Sequence, residues 1–150
     1  ANQVYEKYIV MNVEGKYGAI SKSLWLKSAV ISKHLDNSLG AIHGIGLAEY
    51  MVFLNLMKAP NHALRRIDIA ESLARTTSGI TRMLMPMEKI GLVSKETNAR
   101  DARVSLVKIT PAGEELFRNA TVTLDAKSQS LLRNIDSESA DTMLALLHSI

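Results

Sequence analysis

The chain contains no cysteine. That absence excludes disulfides, thiolate nucleophiles, Cys-ligated zinc, iron–sulfur clusters and any switch that works by oxidising a thiol. It has no apolar run near the roughly 18 residues needed to span a bilayer, and no short basic segment leading into an apolar one as in a signal peptide. The expectation is a soluble protein of the cytoplasm. Prolines number three, Pro60, Pro86 and Pro111, few enough that each serves as punctuation between elements. There is no internal repeat and no low-complexity segment. Catalytic patterns are missing too: Ser, His and Asp all occur, but no nucleophile-elbow glycines, phosphate loop or paired carboxylates place them for chemistry. The chain does not read as an enzyme, and no cofactor is implied. His34, His43, His62 and His148 are scattered, without an i, i+4 pair or an acidic cluster beside them, so no metal site is expected.

With 150 residues, 47% of them hydrophobic and 22% charged, the chain can bury a real core and reads as one globular domain rather than a disordered segment. A formal charge of +3 would by itself justify no partner. Its distribution says more. Residues 61–110 hold nine Lys or Arg against five acids, a balance of +4, while the rest of the chain holds nine against ten. All the excess positive charge lies in the central third, as in a polyanion-binding module flanked by neutral helices; a solvated basic face would give the same count.

Hydrophobic spacing divides the chain into elements. The first 17 residues include Val4 to Val13, which suits a short strand, a helical turn or a docked arm equally. Leu24, Ala29, Ile31, Leu35 and Leu39 form an approximate helical stripe from about Ser21, with Gly40 as its expected end. Trp25 on this helix reads as an interface anchor. Leu47, Tyr50, Met51, Leu54 and Met57 mark a core helix stopped by Ala59-Pro60-Asn61. Asp68 with Glu71 three residues on has the form of a capping box opening a short helix that turns Ile69, Ala70 and Leu73 inward. Arg75-Thr76 breaks it, and Thr76 can cap the next helix. There Ile80, Leu84, Met87 and the following Leu92 pack inward, leaving Thr77, Ser78, Thr81, Arg82 and Met85 outside. Of the methionines in this run, Met87 suits core packing, and Met83 and Met85 suit surface or groove contact.

After Gly91 the period changes to two. Val93 and Lys95, then Val104 to Ile109, read as a β-hairpin around the charged tip Thr97-Asn-Ala-Arg-Asp-Ala-Arg103. Thr110-Pro111 is an N-cap followed by proline at the first helical position, starting a helix to about Asn134. Asp136 or Ser137 opens a last helix carrying Met143, Leu144, Leu147 and Ile150.

Two short helices joined by a polar turn and followed directly by a charged hairpin form a winged helix-turn-helix pattern. A helix fits the major groove of DNA, and the small side chains of Thr77, Ser78 and Thr81 let its backbone approach phosphates and bases. Arg82 can fork onto guanine or bridge phosphates, and the tip arginines Arg100 and Arg103 can reach the adjacent minor groove.

The run from Gly46 to Gly113 resembles the MarR family of bacterial winged-helix transcriptional regulators. The resemblance rests on Gly46-Leu-Ala-Glu-Tyr-Met-Val-Phe-Leu54, Ile69-Ala-Glu-Ser-Leu73, Ile80-Thr-Arg82 and Met87-Glu-Lys-Ile-Gly-Leu-Val93, then on Asp101-Ala-Arg103 continuing through Val107-Lys-Ile-Thr110 to Gly113. The Asp-x-Arg wing and the Val-x-Ile-Thr-x-x-Gly ending are its most specific parts. It implies a mainly α fold with a small β-hairpin wing. Residues 1–40 would form an arm and dimerisation helix, 41–110 the winged lobe and 111–150 the C-terminal dimerisation helices, all within one intertwined domain. It further implies a homodimer on a palindromic double-stranded operator, a repressor released by a small, often aromatic or phenolic, effector. No effector-binding residues transfer by motif. By similarity Arg103 enters the minor groove and Asp101 orients it or braces the hairpin. Pro86 departs from the common pattern, and a kink is expected there. The competing reading is a winged-helix protein-interaction or ligand-binding module without DNA recognition.

Overall fold

The computed structural model describes Gln3 and residues 15–150; the stretch from Val4 to Val13 lies outside them. Two compact units divide the chain after His34.

Helix α1 is Lys16–His43. It begins before the expected Ser21 and, against expectation, runs through Gly40. One interior glycine costs a helix about 1 kcal/mol relative to alanine, too little to end it where Leu35 and Leu39 bury the last turns in the core. The terminator is Gly44, whose φ of +70° is left-handed and whose amide donates back to the Gly40 carbonyl at 3.1 Å. Helix α2, Leu47–Lys58, buries Tyr50, Val52, Phe53 and Leu56. Two carboxylates secure its start: Asp36 accepts from the Leu47 amide at 2.7 Å, and Glu49 reaches back to the Gly46 amide at 3.2 Å.

A 3-10 turn, Pro60–His62, leads into β1, Ala63–Leu64, which no periodicity announced. Helix α3 is Arg66–Ser72, with Arg65 as its cap residue. The expected capping box at Asp68 is therefore incorrect. The Arg65 guanidinium forks onto the Asp68 carboxylate at 2.8 and 2.9 Å, holding that carboxyl below the ordinary range, and Asp68 sits inside the first turn. Helix α4, Thr77–Lys89, follows after a short turn and continues unbroken through Pro86. Strands β2, Val93–Thr97, and β3, Ser105–Ile109, complete an antiparallel sheet of order β1-β3-β2. Val93 pairs with Ile109 and Thr97 with Ser105, and Val104 belongs to the tip rather than to the strand.

Helix α5, Pro111–Leu131, stops slightly short of Asn134. Helix α6 is Ser137–His148, capped by the Asp136 carboxylate, which accepts from the Ser139 amide at 2.7 Å. The core gathers Leu39, Phe53 and Leu56 with Ile69, Ile80, Leu84, Met87, Val107, Ile109 and Ala120. Helix α5 is seated on α2 by a stacked Tyr50–Phe117 pair, centroids 5.0 Å apart, and by the Tyr50 hydroxyl 2.8 Å from Thr121 Oγ1.

Candidate nucleic-acid interface

The two short helices are set against each other by a strained turn. Ala74 has φ +51°, a left-handed conformation that costs a side-chain-bearing residue roughly 1 kcal/mol. The conformation lets the Arg75 amide donate to the Ala70 carbonyl at 2.9 Å and the Ala74 amide to the Glu71 carbonyl at 3.2 Å. Thr76 then opens α4 as expected, its Oγ1 accepting from the Gly79 amide at 3.1 Å. The amides of Thr77 and Ser78 lie in the first turn, where no intrahelical acceptor exists.

Ile80, Leu84 and Met87 are buried. Thr77, Ser78, Thr81, Arg82 and Met85 are exposed, as the spacing predicted. Thr81 donates its hydroxyl to the Thr77 carbonyl at 3.1 Å, which keeps it low along the helix surface. The guanidinium groups of Arg82 and Arg100 make no hydrogen bond or ion pair with any described residue. Two exposed cations beside this face, Arg75 in the turn and Lys89 in the last turn of α4, were not singled out by local spacing. Both contribute to the regional charge excess, but nothing in their spacing separates them from ordinary solvated cations.

The hairpin tip is ordered by its own side chains. Asn98 Oδ1 accepts from the Arg100 amide at 2.8 Å. Asp101 Oδ1 accepts from both the Arg103 amide at 3.0 Å and Arg103 Nε at 3.1 Å, while Oδ2 accepts from Nη2 at 3.2 Å. These bonds to the Arg103 side chain and then its backbone hold the Asp101 carboxyl below the usual range. The Arg103 side chain is nonetheless 91% exposed. An arginine so exposed would ordinarily sample many rotamers; here a two-point clamp two residues away aims it.

The wing base is locked to α5 by one threonine. The Thr110 hydroxyl donates to the Gly91 carbonyl at 2.6 Å and accepts from the Gly113 amide at 3.1 Å, while the Thr110 amide donates to the Leu92 carbonyl at 3.1 Å. A Cβ on Gly113 would stand 2.2 Å from that carbonyl oxygen, so only glycine permits this approach. Gly91 itself has φ +80° and ends α4, with the Leu92 amide donating to the Met87 carbonyl at 2.9 Å. These bonds tie the end of α4 and the base of the β2–β3 hairpin to the start of α5.

Among the described residues no group of three His, Asp or Glu side chains is arranged to hold a metal ion, and no single helix is long and apolar enough to cross a membrane. A groove of about 430 Å³ lies at the α5–α6 elbow, lined by Asp125, Gln129, Leu132, Arg133 and Ile135 among others. Helix α6 has no buried side chain, yet carries Met143, Leu144, Leu146 and Leu147 exposed. In the first unit, Tyr17, Leu24, Trp25 and Val30 of α1 are exposed apolar residues as well.

No family model matches the chain. It is similar to the HTH-type transcriptional regulator PrsX of Escherichia coli, with 30% identity over 89 residues, 59% of this chain and 53% of that protein. Similarity to PapX of the same species is 24% over 114 residues, covering 74% and 70%. The chain thus spans about half the length of the PrsX sequences it matches. Among solved structures, a MarR family regulator of Streptomyces coelicolor in complex with DNA superposes with TM-score 0.79 at 19% identity, covering 92% of this chain and 87% of that one. The transcriptional regulator BldR of Sulfolobus solfataricus superposes with TM-score 0.80 at 19% identity, covering 93% and 100%. A MarR family regulator of a Rhodococcus species gives 0.81 at 18%, covering 91% and 94%. The chain has the winged-helix fold of those regulators.

Proposed function

We propose that this chain is a MarR-family transcriptional regulator of the cytoplasm, and not an enzyme, acting as a homodimer on double-stranded DNA. Each protomer lays α4 in the major groove, with Thr77, Ser78 and Thr81 against phosphates and bases and Arg82 on a base edge or phosphate. Arg103, aimed by Asp101, enters the neighbouring minor groove, and Arg100 adds positive charge at the same tip. The observation that carries this reading is the clamped Arg103: the bidentate ion pair orients a guanidinium that no described residue other than Asp101 engages.

The dimer is supported by α6. A helix of 12 residues is marginal alone in water, and one that buries nothing while exposing four large apolar side chains needs a second surface to cover them. Two-fold pairing would present the two α4 helices to successive major grooves about 34–36 Å apart, hence a palindromic operator. The regulator acts as a repressor. A small aromatic or phenolic effector releases it by favouring a lobe spacing that no longer matches the grooves.

Selection of bound sequences from a pool of random duplexes tests the proposal. Enrichment of an inverted repeat with half-sites one helical turn apart is the expected outcome. A protein that enriches nothing, at low salt as well as at physiological salt, is not a DNA regulator.

A further inference from the structure

The outward face of α4 contains one residue that neither the fold nor phosphate binding accounts for. At roughly 100° per residue, Met85 falls between Thr81 on one side and Ser78 and Arg82 on the other, near the middle of the exposed arc and turned at least about 100° away from Ile80, Leu84 and Met87. It is 63% exposed. Its neighbours on that arc are hydroxyls and a cation, and Lys89 follows one turn later. A large apolar side chain centred on a polar, basic stripe costs solubility and contributes nothing to the core. It also bears no charge or hydrogen-bond donor to offer a phosphate.

We infer that Met85 is a specificity-determining residue that reads the 5-methyl group of thymine in each half-site. The inference rests on the proposed docking of α4 in the major groove. In that groove the thymine methyl is the single apolar feature among donors and acceptors, and it distinguishes a T·A pair from the other three. The small side chains at Ser78 and Thr81 keep the helix surface low around Met85, so the thioether stands clear of them as the one large apolar group on the arc. Methionine is unbranched and polarizable, able to lie along a methyl group without a demanding rotamer. Arg82, one turn before Met85 and about 60° round the helix from it, supplies the polar partner for an adjacent pair, so the two side chains divide the half-site between an apolar and a charged reading.

The test uses the duplex enriched by the selection described above, with each dT replaced in turn by dU, which lacks only the methyl. Affinities are measured by fluorescence anisotropy for the wild-type chain and for Met85→Ala. Wild type should lose about four-fold in affinity at one dT per half-site, the weight of one buried methyl group, and about fifteen-fold when both half-sites are changed. Met85→Ala should bind the parent duplex more weakly by a similar factor, show no further loss on the same dU duplex, and keep the wild-type salt dependence. Because Met85 is exposed, the variant should retain the wild-type unfolding curve. Met85→Gln, which keeps length and adds polarity, should behave as Met85→Ala does. If no dT to dU replacement weakens binding, or if the penalty is undiminished in both variants, the inference is wrong although the chain binds DNA. Failure to bind any duplex overturns the DNA reading and this inference together.

Discussion

Replacing Gly113 by alanine tests the joint between the wing and α5. The new methyl carbon would meet the Leu92 carbonyl oxygen at 2.2 Å and Ile109 Cγ1 at 2.8 Å, against an ordinary carbon–oxygen approach of about 3.3 Å. The oxygen cannot swing aside, because it is backbone and accepts from the Thr110 amide at 3.1 Å. Helix α5 must therefore lift by about 1 Å, an overpacking that typically costs about 1–3 kcal/mol. The lift also stretches the Thr110 cap, worth about 1 kcal/mol, and the bond from Thr110 to the Gly91 carbonyl. Alanine's better helix propensity returns at most about 1 kcal/mol. The net expectation is a loss of about 2–3 kcal/mol, seen in equilibrium urea unfolding at fixed protomer concentration as a midpoint lower by about 1–2 M with little change in slope. The control is Gly40→Ala, where the added carbon meets its nearest neighbour at 3.9 Å; that variant should gain up to about 1 kcal/mol. Were Gly113→Ala as stable as wild type, the close approach of α5 to Leu92 would be refuted.

Ala74→Gly should relieve the left-handed turn between α3 and α4 and raise stability by about 0.5 kcal/mol, while Ala74→Val should lower it by about 1–2 kcal/mol in the same unfolding assay; equal effects would mean the turn is not strained. The Asp101 carboxyl is depressed by Arg103, so the clamp is fully present above the ordinary carboxylate range and is lost as pH falls below about 4 through the lowered value. DNA affinity measured between pH 8 and 5 should therefore show no step from this pair, and Asp101→Asn should bind more weakly throughout that range; a wild-type affinity for Asp101→Asn would remove the orienting role. Leu147→Glu on α6 should shift the chain from dimer to monomer in sedimentation velocity, and an unchanged dimer would place the interface elsewhere.

Much of this architecture was legible because each element carries a local cause. The Thr76 and Thr110 caps, the Ile80-Leu84-Met87 stripe and the hairpin each depend on residues within one turn or one strand pair, and the Asp101–Arg103 clamp closes over two residues. What was misread depends on competition between local signals or on distant partners. Gly40, Gly44 and Gly46 are all plausible terminators, and the burial of Leu39 decides against the first. Asp68 has the form of a cap, but the Arg65 guanidinium occupies it. Strand β1 is two residues long, too short to show a period, and exists because β3 offers it a free edge. The need for glycine at 113 was visible as a motif, whereas its reason, a carbonyl 21 positions earlier in the chain, required the fold.

On the proposed reading, α4 and the wing arginine meet the same DNA duplex. The decisive measurement is the salt dependence of binding to the selected duplex, comparing the wild-type chain with Arg103→Ala. Wild type should show a steep negative slope of log affinity against log salt. Arg103→Ala should bind at least about ten-fold more weakly, with a slope shallower by about one unit for each phosphate that the arginine no longer neutralises. Identical affinity and slope for the two proteins, with the dimer intact in both, would contradict that reading.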